Sequence, residues 1–447
     1  MRRGKVLLGI VAAGVAALVL LLGGVLSGSP AVDPLAEARA RAGSTDQASL
    51  DRLLEGFAAG DTAGLVRRLE RRVADQPTDG KALAVLGLAY QQRARETGAP
   101  AFYGLSARAF QRAAAAGGPE PVIVRGRAAL ANTRHRFNDG LRLSRRAIRL
   151  DPEGGTAYGA LGDALLSLGR YEAAFAAYDR MAKLSPGITS YARVAHAREL
   201  LGRTAAAADA YEIALETGSS VPEYVAWAKV QLGNVYFNSG QLARAAREYH
   251  EALDSFPGYV HAEAALARID AAAGRYDRAL RRLRDVVEAL PAPAYVIQLG
   301  ETLDAAGRKS EARRQFALVD ALERLFEANG VRTELQTALF DLDHDRNVPA
   351  ALRRARLAYS SAPGIYSEDA LAWALFKAGR CGEARERSER ALRLGTKDAL
   401  LHFHRAMIER CLGSSSARSW FDRALATNPH FSLRFAPVAR EALAAVS

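Results

Sequence analysis

The stretch Tyr158-x2-Leu161-Gly162, Gly169-Arg170-Tyr171, Ala174-x3-Tyr178 and Pro186 decides the fold. Its small and apolar residues recur at helical spacing on either side of Gly169, so it reads as two amphipathic helices joined by a tight turn. Gly169 supplies the left-handed residue that ends the first helix, and Pro186 stops the second. The same order returns at Leu232-Gly233-x2-Tyr236, Gly240, Ala245-x3-Tyr249-x2-Ala252 and Pro257. It returns again at Leu266-Ala267, Gly274-Arg275-Tyr276, Ala279-x3-Leu283 and Pro291. Pro152 and Pro186 are 34 residues apart, and so are Pro257 and Pro291. A two-helix unit returning at that period marks a stacked helical array.

Weaker copies fill the chain in both directions. Residues 49–77 read as a hairpin ending at Pro77, and Leu86-Gly87-x2-Tyr90 opens a unit lengthened at residues 95–101 before Phe110 and Ala113. A unit closed by Ala147 and Pro152 has a first helix near residues 124–135 without the bulky signature. Downstream, Leu299-Gly300, Gly307, Ala312 and Phe316 begin a unit whose second helix continues to about Ala328, and Ala351, Ala358 and Pro363 close the next. Leu371-Ala372, Gly379, Ala384 and Ala391 form another. Ala406, Gly413, Ala417-x3-Phe421-x2-Ala424 and Pro429 make the last. The pattern resembles the tetratricopeptide repeat. That resemblance implies an all-α fold: a right-handed α-solenoid of about ten stacked helix-turn-helix units over residues 49–447, with a capping helix after Pro429. Small residues such as Gly162, Gly233, Ala174 and Ala245 suit close helix crossings, and Tyr178 and Tyr249 suit the space between units. Such an array is one solenoid, and it leaves no room for a catalytic domain.

Composition agrees. Hydrophobic residues at 49% and charged residues at 25% fit a core-forming chain and exclude general disorder. Only 2 cysteines exclude a disulfide-stapled mini-domain and a multi-cysteine zinc or iron–sulfur protein. The net charge is +12, and 54 of the 61 cations are arginine, spread along the chain. Strips such as Arg142-x2-Arg145-Arg146-x2-Arg149 and Arg278-x2-Arg281-Arg282-x-Arg284 fall on second helices, the outer face, and read as solvated surface. No nucleic-acid partner is expected. Phosphate-binding loops, nucleophile elbows and metalloprotease motifs are absent from the sequence, so neither enzymatic activity nor a cofactor is expected.

Val6 to Leu26 runs 21 residues without a charge after Arg2, Arg3 and Lys5. As a helix it is roughly 31 Å long, about the hydrocarbon thickness of a bilayer. We read residues 1–5 as a basic cytoplasmic flank, 6–26 as a transmembrane signal-anchor helix and 27–48 as a tether. The cationic end stays inside, which puts the solenoid outside the cytoplasm. A small-residue site at Ser29-Pro30-Ala31 keeps open a cleaved signal and a secreted chain. Ser29 stands where a lipoprotein box would need its acylated cysteine, which argues against lipidation.

The candidate sites follow from the resemblance. First helices of such units line a concave groove that holds segments of other proteins. The groove positions here are Asp163, His196, Asn234, Phe237, Arg268, Glu301, Phe340, Asp343, Trp373 and Phe376. Phe340, Trp373 and Phe376 read either as aromatic anchors with a polar rim or as inter-helix core. Val230 and Ala265 replace the partners that a terminal-carboxylate clamp around Asn234 would need. Asp341-x-Asp343-x-Asp345-Arg346-Asn347 matches a calcium loop loosely, but Arg346 replaces the glycine and Leu352 the bidentate glutamate. It reads as an acidic turn with Asn347 or a neighbour capping the next helix. His402, His404 and Cys411 are too poorly spaced for a shared ion. Cys381 and Cys411 fall at the same end of adjacent helices, either bonded or as two thiols. The expected function is therefore non-catalytic: a membrane-anchored scaffold that binds proteins or peptide segments in its groove. The alternative is a secreted or cytoplasmic array that binds a small ligand or polymer. The sequence does not set the oligomeric state.

Overall fold

The computed structural model describes Phe57, residues 61–219 and residues 221–444. The expected flank, anchor and tether, residues 1–48, lie outside the described residues. Among the described residues there are twenty-two α-helices and no strand. None of these helices is long and apolar enough to cross a membrane.

Helix α1 (Thr62–Asp75) is the second half of the hairpin expected at 49–77. Ten complete hairpins follow: α2 (Gly80–Thr97) with α3 (Ala101–Ala115), α4 (Glu120–Thr133) with α5 (Phe137–Leu150), and α6 (Gly155–Ser167) with α7 (Tyr171–Leu184). Next come α8 (Ile188–Leu200) with α9 (Thr204–Glu216), α10 (Pro222–Asn238) with α11 (Leu242–Ser255), and α12 (Val260–Ala272) with α13 (Tyr276–Ala289). The last four are α14 (Pro293–Ala305) with α15 (Lys309–Ala328), α16 (Glu334–Asp343) with α17 (Val348–Ser361), α18 (Ile365–Lys377) with α19 (Cys381–Ala391), and α20 (Ala399–Cys411) with α21 (Ala417–Thr427). Helix α22 (Phe435–Ala444) packs on α21 as the expected cap.

Local chemistry fixes each hairpin. Asp61 and Asp79 accept from the backbone N–H of Gly64 and Ala82, at 2.7 and 2.9 Å, and so cap α1 and α2. The turn after α6 needs Gly169 at φ 69°, which lets Arg170 N–H reach Leu165 C=O at 2.9 Å. The equivalent turn after α4 uses His135, a non-glycine at φ 56°, with Arg136 N–H on Ala131 C=O at 2.8 Å. Inside each unit a missing side chain on the first helix accepts a ring from the second. A Cβ on Gly162 would stand 2.3 Å from the Tyr178 ring, and one on Gly233 would stand 2.4 Å from the Tyr249 ring. Tyr178 and Tyr249 thus fill a gap within their own unit, and Tyr249 shares its buried cluster with Ala262, Ala265 and Leu266 of the next.

The array closes on itself, and this sets it apart from an open solenoid. The Tyr171 hydroxyl accepts from Ile365 N–H at 2.7 Å, the Thr396 hydroxyl donates to Leu200 C=O, and His135 Nδ1 lies 2.6 Å from Arg332 C=O. These partners are 194, 196 and 197 residues apart. The chain therefore returns on itself after about six units of roughly 34 residues. Tyr171, Leu200 and Ile365 form one buried apolar cluster across this seam, and Val331 packs with the core of α1–α4. Another contact crosses the interior. Gln92 Nε2 lies 3.3 Å from Glu223 Oε2, Arg95 Nη2 lies 3.3 Å from the Tyr224 hydroxyl, and all four side chains are buried. The second superhelical turn sits against the first, and the space between first helices is narrow.

Candidate functional site

The ten groove positions lie along the inner helices, but they face neighbouring units. Asp163 on α6 is buried, and its carboxylate takes two bonds from Arg193 on α8: Nε to Oδ1 at 2.9 Å and Nη2 to Oδ2 at 2.8 Å. The Tyr178 hydroxyl donates to Oδ1 at 3.0 Å. The motif repeats one stretch further on, where Asn234 Oδ1 accepts from the Tyr249 hydroxyl at 2.9 Å and from Arg268 Nη2 at 2.7 Å. The Arg268 guanidinium also lies over the Phe237 ring, 3.9 Å from its centre. Toward the carboxyl end, Trp373 Nε1 donates to Asp343 Oδ1 at 2.8 Å, and His404 Nδ1 lies 2.8 Å from Asp369 Oδ2. Glu301 lies 3.8 Å from His344 Nε2. The Tyr178 and Tyr249 hydroxyls act within their own hairpins, while the Arg193, Arg268, Trp373 and His404 contacts join the first helix of one unit to the first helix of the next.

The inner positions thus form a polar ladder that sets the rise and rotation between units. A buried ion pair adds little net stability, because the cost of desolvating both charges offsets their attraction. Burial alone would lower the Arg193 guanidinium, but the Asp163 carboxylate beside it holds it above its ordinary value. Burial pushes the Asp343 carboxyl well above the usual carboxylate range, against the lowering effect of the Trp373 N–H.

The aromatic candidates belong to the same interior. Phe340 and Trp373 are 3% and 1% exposed, so neither offers a free anchor to a partner. Trp373 is sandwiched, with Phe376 stacked at 4.8 Å and His404 at 4.2 Å between ring centres. Phe376 and Arg268 keep partial exposure, and His196 is buried beside Glu199, 3.5 Å away. The structure therefore places Phe340 and Trp373 in inter-helix core, while Phe376 stays partly exposed against the Trp373 ring.

The acidic turn resolves the same way. Asn347 has a left-handed backbone and caps α17, accepting from Ala350 N–H at 3.3 Å. Asp341 pairs with Arg354 at 2.6 Å, Asp343 with Trp373, and Asp345 with Lys377 at 2.6 Å. Three carboxylates aimed at three partners do not converge on an ion, and no metal-binding cluster occurs among the described residues. His402 and His404 part company as well: His402 sits against Trp420, and His404 against Asp369. Cys381 and Cys411 are joined by a disulfide, with Cα atoms 6.3 Å apart, which staples α19 to the end of α20.

Two features had no signal in the periodicity. One is the seam itself, built by His135, Tyr171, Leu200, Arg332, Ile365 and Thr396. The other is a cavity of about 120 Å³ beside that seam, which His196, Asp163 and Tyr178 help to line.

Comparison with known proteins agrees with the hairpin geometry. Tetratricopeptide-repeat models match residues 123–187 and 236–299. No curated protein matches the chain. The crystal structure of MamA is 20% identical over 36% of this chain and 93% of its own, with a TM-score of 0.29. The crystal structure of the APC/C hetero-tetramer Cut9-Hcn1 is 12% identical over 90% of this chain and 96% of its own, with a TM-score of 0.35. Repeat models match at two separate stretches, and the same helical hairpin continues before, between and after them, so the chain carries tetratricopeptide repeats at residues 123–187 and 236–299.

Proposed function

We propose that this protein is a non-catalytic scaffold for other proteins, held at a membrane by residues 6–26 with its solenoid on the extracytoplasmic side. The repeat identity carries the scaffold reading, since stacked two-helix units present a long rigid surface. We place the docking surface on the outer face rather than in the groove expected from sequence, because ladder contacts occupy most of the inner positions. The outer face offers a better place. Helix α15 is 20 residues long, and Leu318 and Leu325, two turns apart on it, are each 49% exposed. Exposed leucines at that spacing on one helix suit an apolar partner helix. The Cys381–Cys411 disulfide supports an oxidising compartment, and the uncharged run at residues 6–26 supports the anchor.

Crosslinking in intact cells, followed by mass spectrometry, tests the scaffold. Partners captured by the native chain should be lost with Leu318→Glu/Leu325→Glu and retained with Arg142→Glu, an exposed arginine of α5. Equal capture by both variants would refute docking on α15. Alkaline extraction tests the anchor, and release of the full chain into the supernatant would refute it.

A further inference from the structure

The cavity at the seam has the marks of a ligand site. It lies where the first superhelical turn (α4–α8) meets the second (α16–α18), and chain segments nearly two hundred residues apart form its walls. Phe137, Tyr171, Leu200 and Tyr366 make most of the lining apolar and aromatic. Its volume of about 120 Å³ is close to that of the apolar cavity of ~150 Å³ known to hold benzene.

Charge and hydrogen bonding narrow the ligand further. Asp163 borders the space, but Arg193 and Tyr178 already occupy its oxygens. Arg332 and Glu334 also border it and neutralise each other, with Nε and Nη2 at 3.0 and 2.8 Å from Glu334 Oε1. Burial lowers the pKa of His135, so that ring is neutral at pH 7. The walls therefore offer no uncompensated charge. Two buried polar atoms remain without a hydrogen-bond partner, His196 Nδ1 and Gln336 Oε1, and both residues line the cavity. His196 is itself 5% exposed. The amide oxygen of Gln336 can only accept, and a buried acceptor left without a donor is unfavourable.

We infer that the seam cavity binds a small, neutral, single-ring aromatic molecule carrying one O–H or N–H donor. The ring stacks among Tyr171, Tyr366 and Phe137, and the donor satisfies Gln336 Oε1. Because both superhelical turns supply walls, such a ligand bridges them and stabilises the closed array. This site is separate from the scaffold surface on α15.

Ligand-observed NMR on the purified full chain tests the inference, with phenol, toluene and benzoate as probes. Phenol should bind at least tenfold more tightly than toluene, and benzoate should show no saturable binding. Gln336→Leu should weaken phenol about tenfold and leave toluene within about twofold. Ser361→Phe, which projects a ring into the space, should abolish both. Hydrogen exchange across residues 360–367 reports whether either variant keeps the seam, so a folding failure is separated from a lost site. The inference is overturned if no neutral ring binds the native chain, if benzoate binds as well as phenol, or if phenol is indifferent to Gln336→Leu in a folded protein.

Discussion

Asp163→Ala is the sharpest test of the ladder. The substitution removes both oxygens that hold Arg193 and the acceptor of the Tyr178 hydroxyl, while Arg193 stays 3% exposed among α6, α7 and α8. Leaving one member of a buried pair without the other costs about 3–5 kcal/mol. In a repeat array that cost falls on the local unit and its neighbours, because stability sums over units and interfaces. Local opening of α6–α8 should therefore become roughly 100- to 4,000-fold more frequent. Hydrogen exchange followed by mass spectrometry reads this directly, as faster exchange in peptides from residues 155–200 with little change beyond the neighbouring units. Arg193→Met alone should cost less, since a carboxylate can take up a proton or a water. The double variant Asp163→Leu/Arg193→Met should recover most of the protection, because replacing a buried pair by apolar groups is often neutral. A rise below about tenfold in Asp163→Ala, or a double variant as open as that single one, would refute the account.

Three further outcomes are expected. Intact mass should rise by two hydrogens on reduction, and Cys381→Ser/Cys411→Ser should lower the stability of α19–α20 by about 3–4 kcal/mol in the chain-entropy picture for a 30-residue separation; unchanged mass refutes the bond. Gly233→Ala should destabilise its unit by about 1–3 kcal/mol, since the new methyl meets the Tyr249 ring, and Tyr249→Leu in the same chain should relieve part of that loss in thermal unfolding. Burial pushes the Glu323 carboxyl up from 4.5 to about 7. The folded state therefore keeps a proton that the unfolded chain gives up, and stability is lost as pH rises from about 4.5 to about 7. Glu323→Gln should flatten the midpoint-versus-pH curve in that window, and an unaltered slope would refute the assignment.

Much of the fold was legible because its determinants are local. Gly162 and Tyr178 are 16 residues apart and meet within one hairpin, so a fixed spacing reports them. Gly169 and Asn347 act on the turns that contain them, and the cap after Pro429 follows from an array needing a polar end. Even the disulfide was approachable, since both cysteines fall at helix ends of adjacent units. The site was legible only as positions. Asp163 is on the inner face as its place in the repeat requires, but whether that face is open depends on how many units make one superhelical turn. That number comes from small rotations summed over all units, and no single spacing carries it. His135 shows the difficulty: it stands where other units have glycine, and its ring reaches a backbone carbonyl 197 residues away.

The seam also explains why the inner face carries so many buried polar groups. A loosely wound array can leave such residues in water, where charge is inexpensive. Once the second turn closes over the first, any unpaired carboxylate or guanidinium inside would cost several kcal/mol. Arg193, Arg268, Trp373 and His404 answer the acidic or amide groups one unit before them, while Arg95 and Glu223 sit together across the interior. Charge placement and winding are thus mutually dependent, since each ladder contact fixes a rotation and the summed rotations bring Tyr171 to Ile365. A groove read one repeat at a time misses this coupling. The polar residues that suggested a binding surface are the ones that join neighbouring units along the inner face.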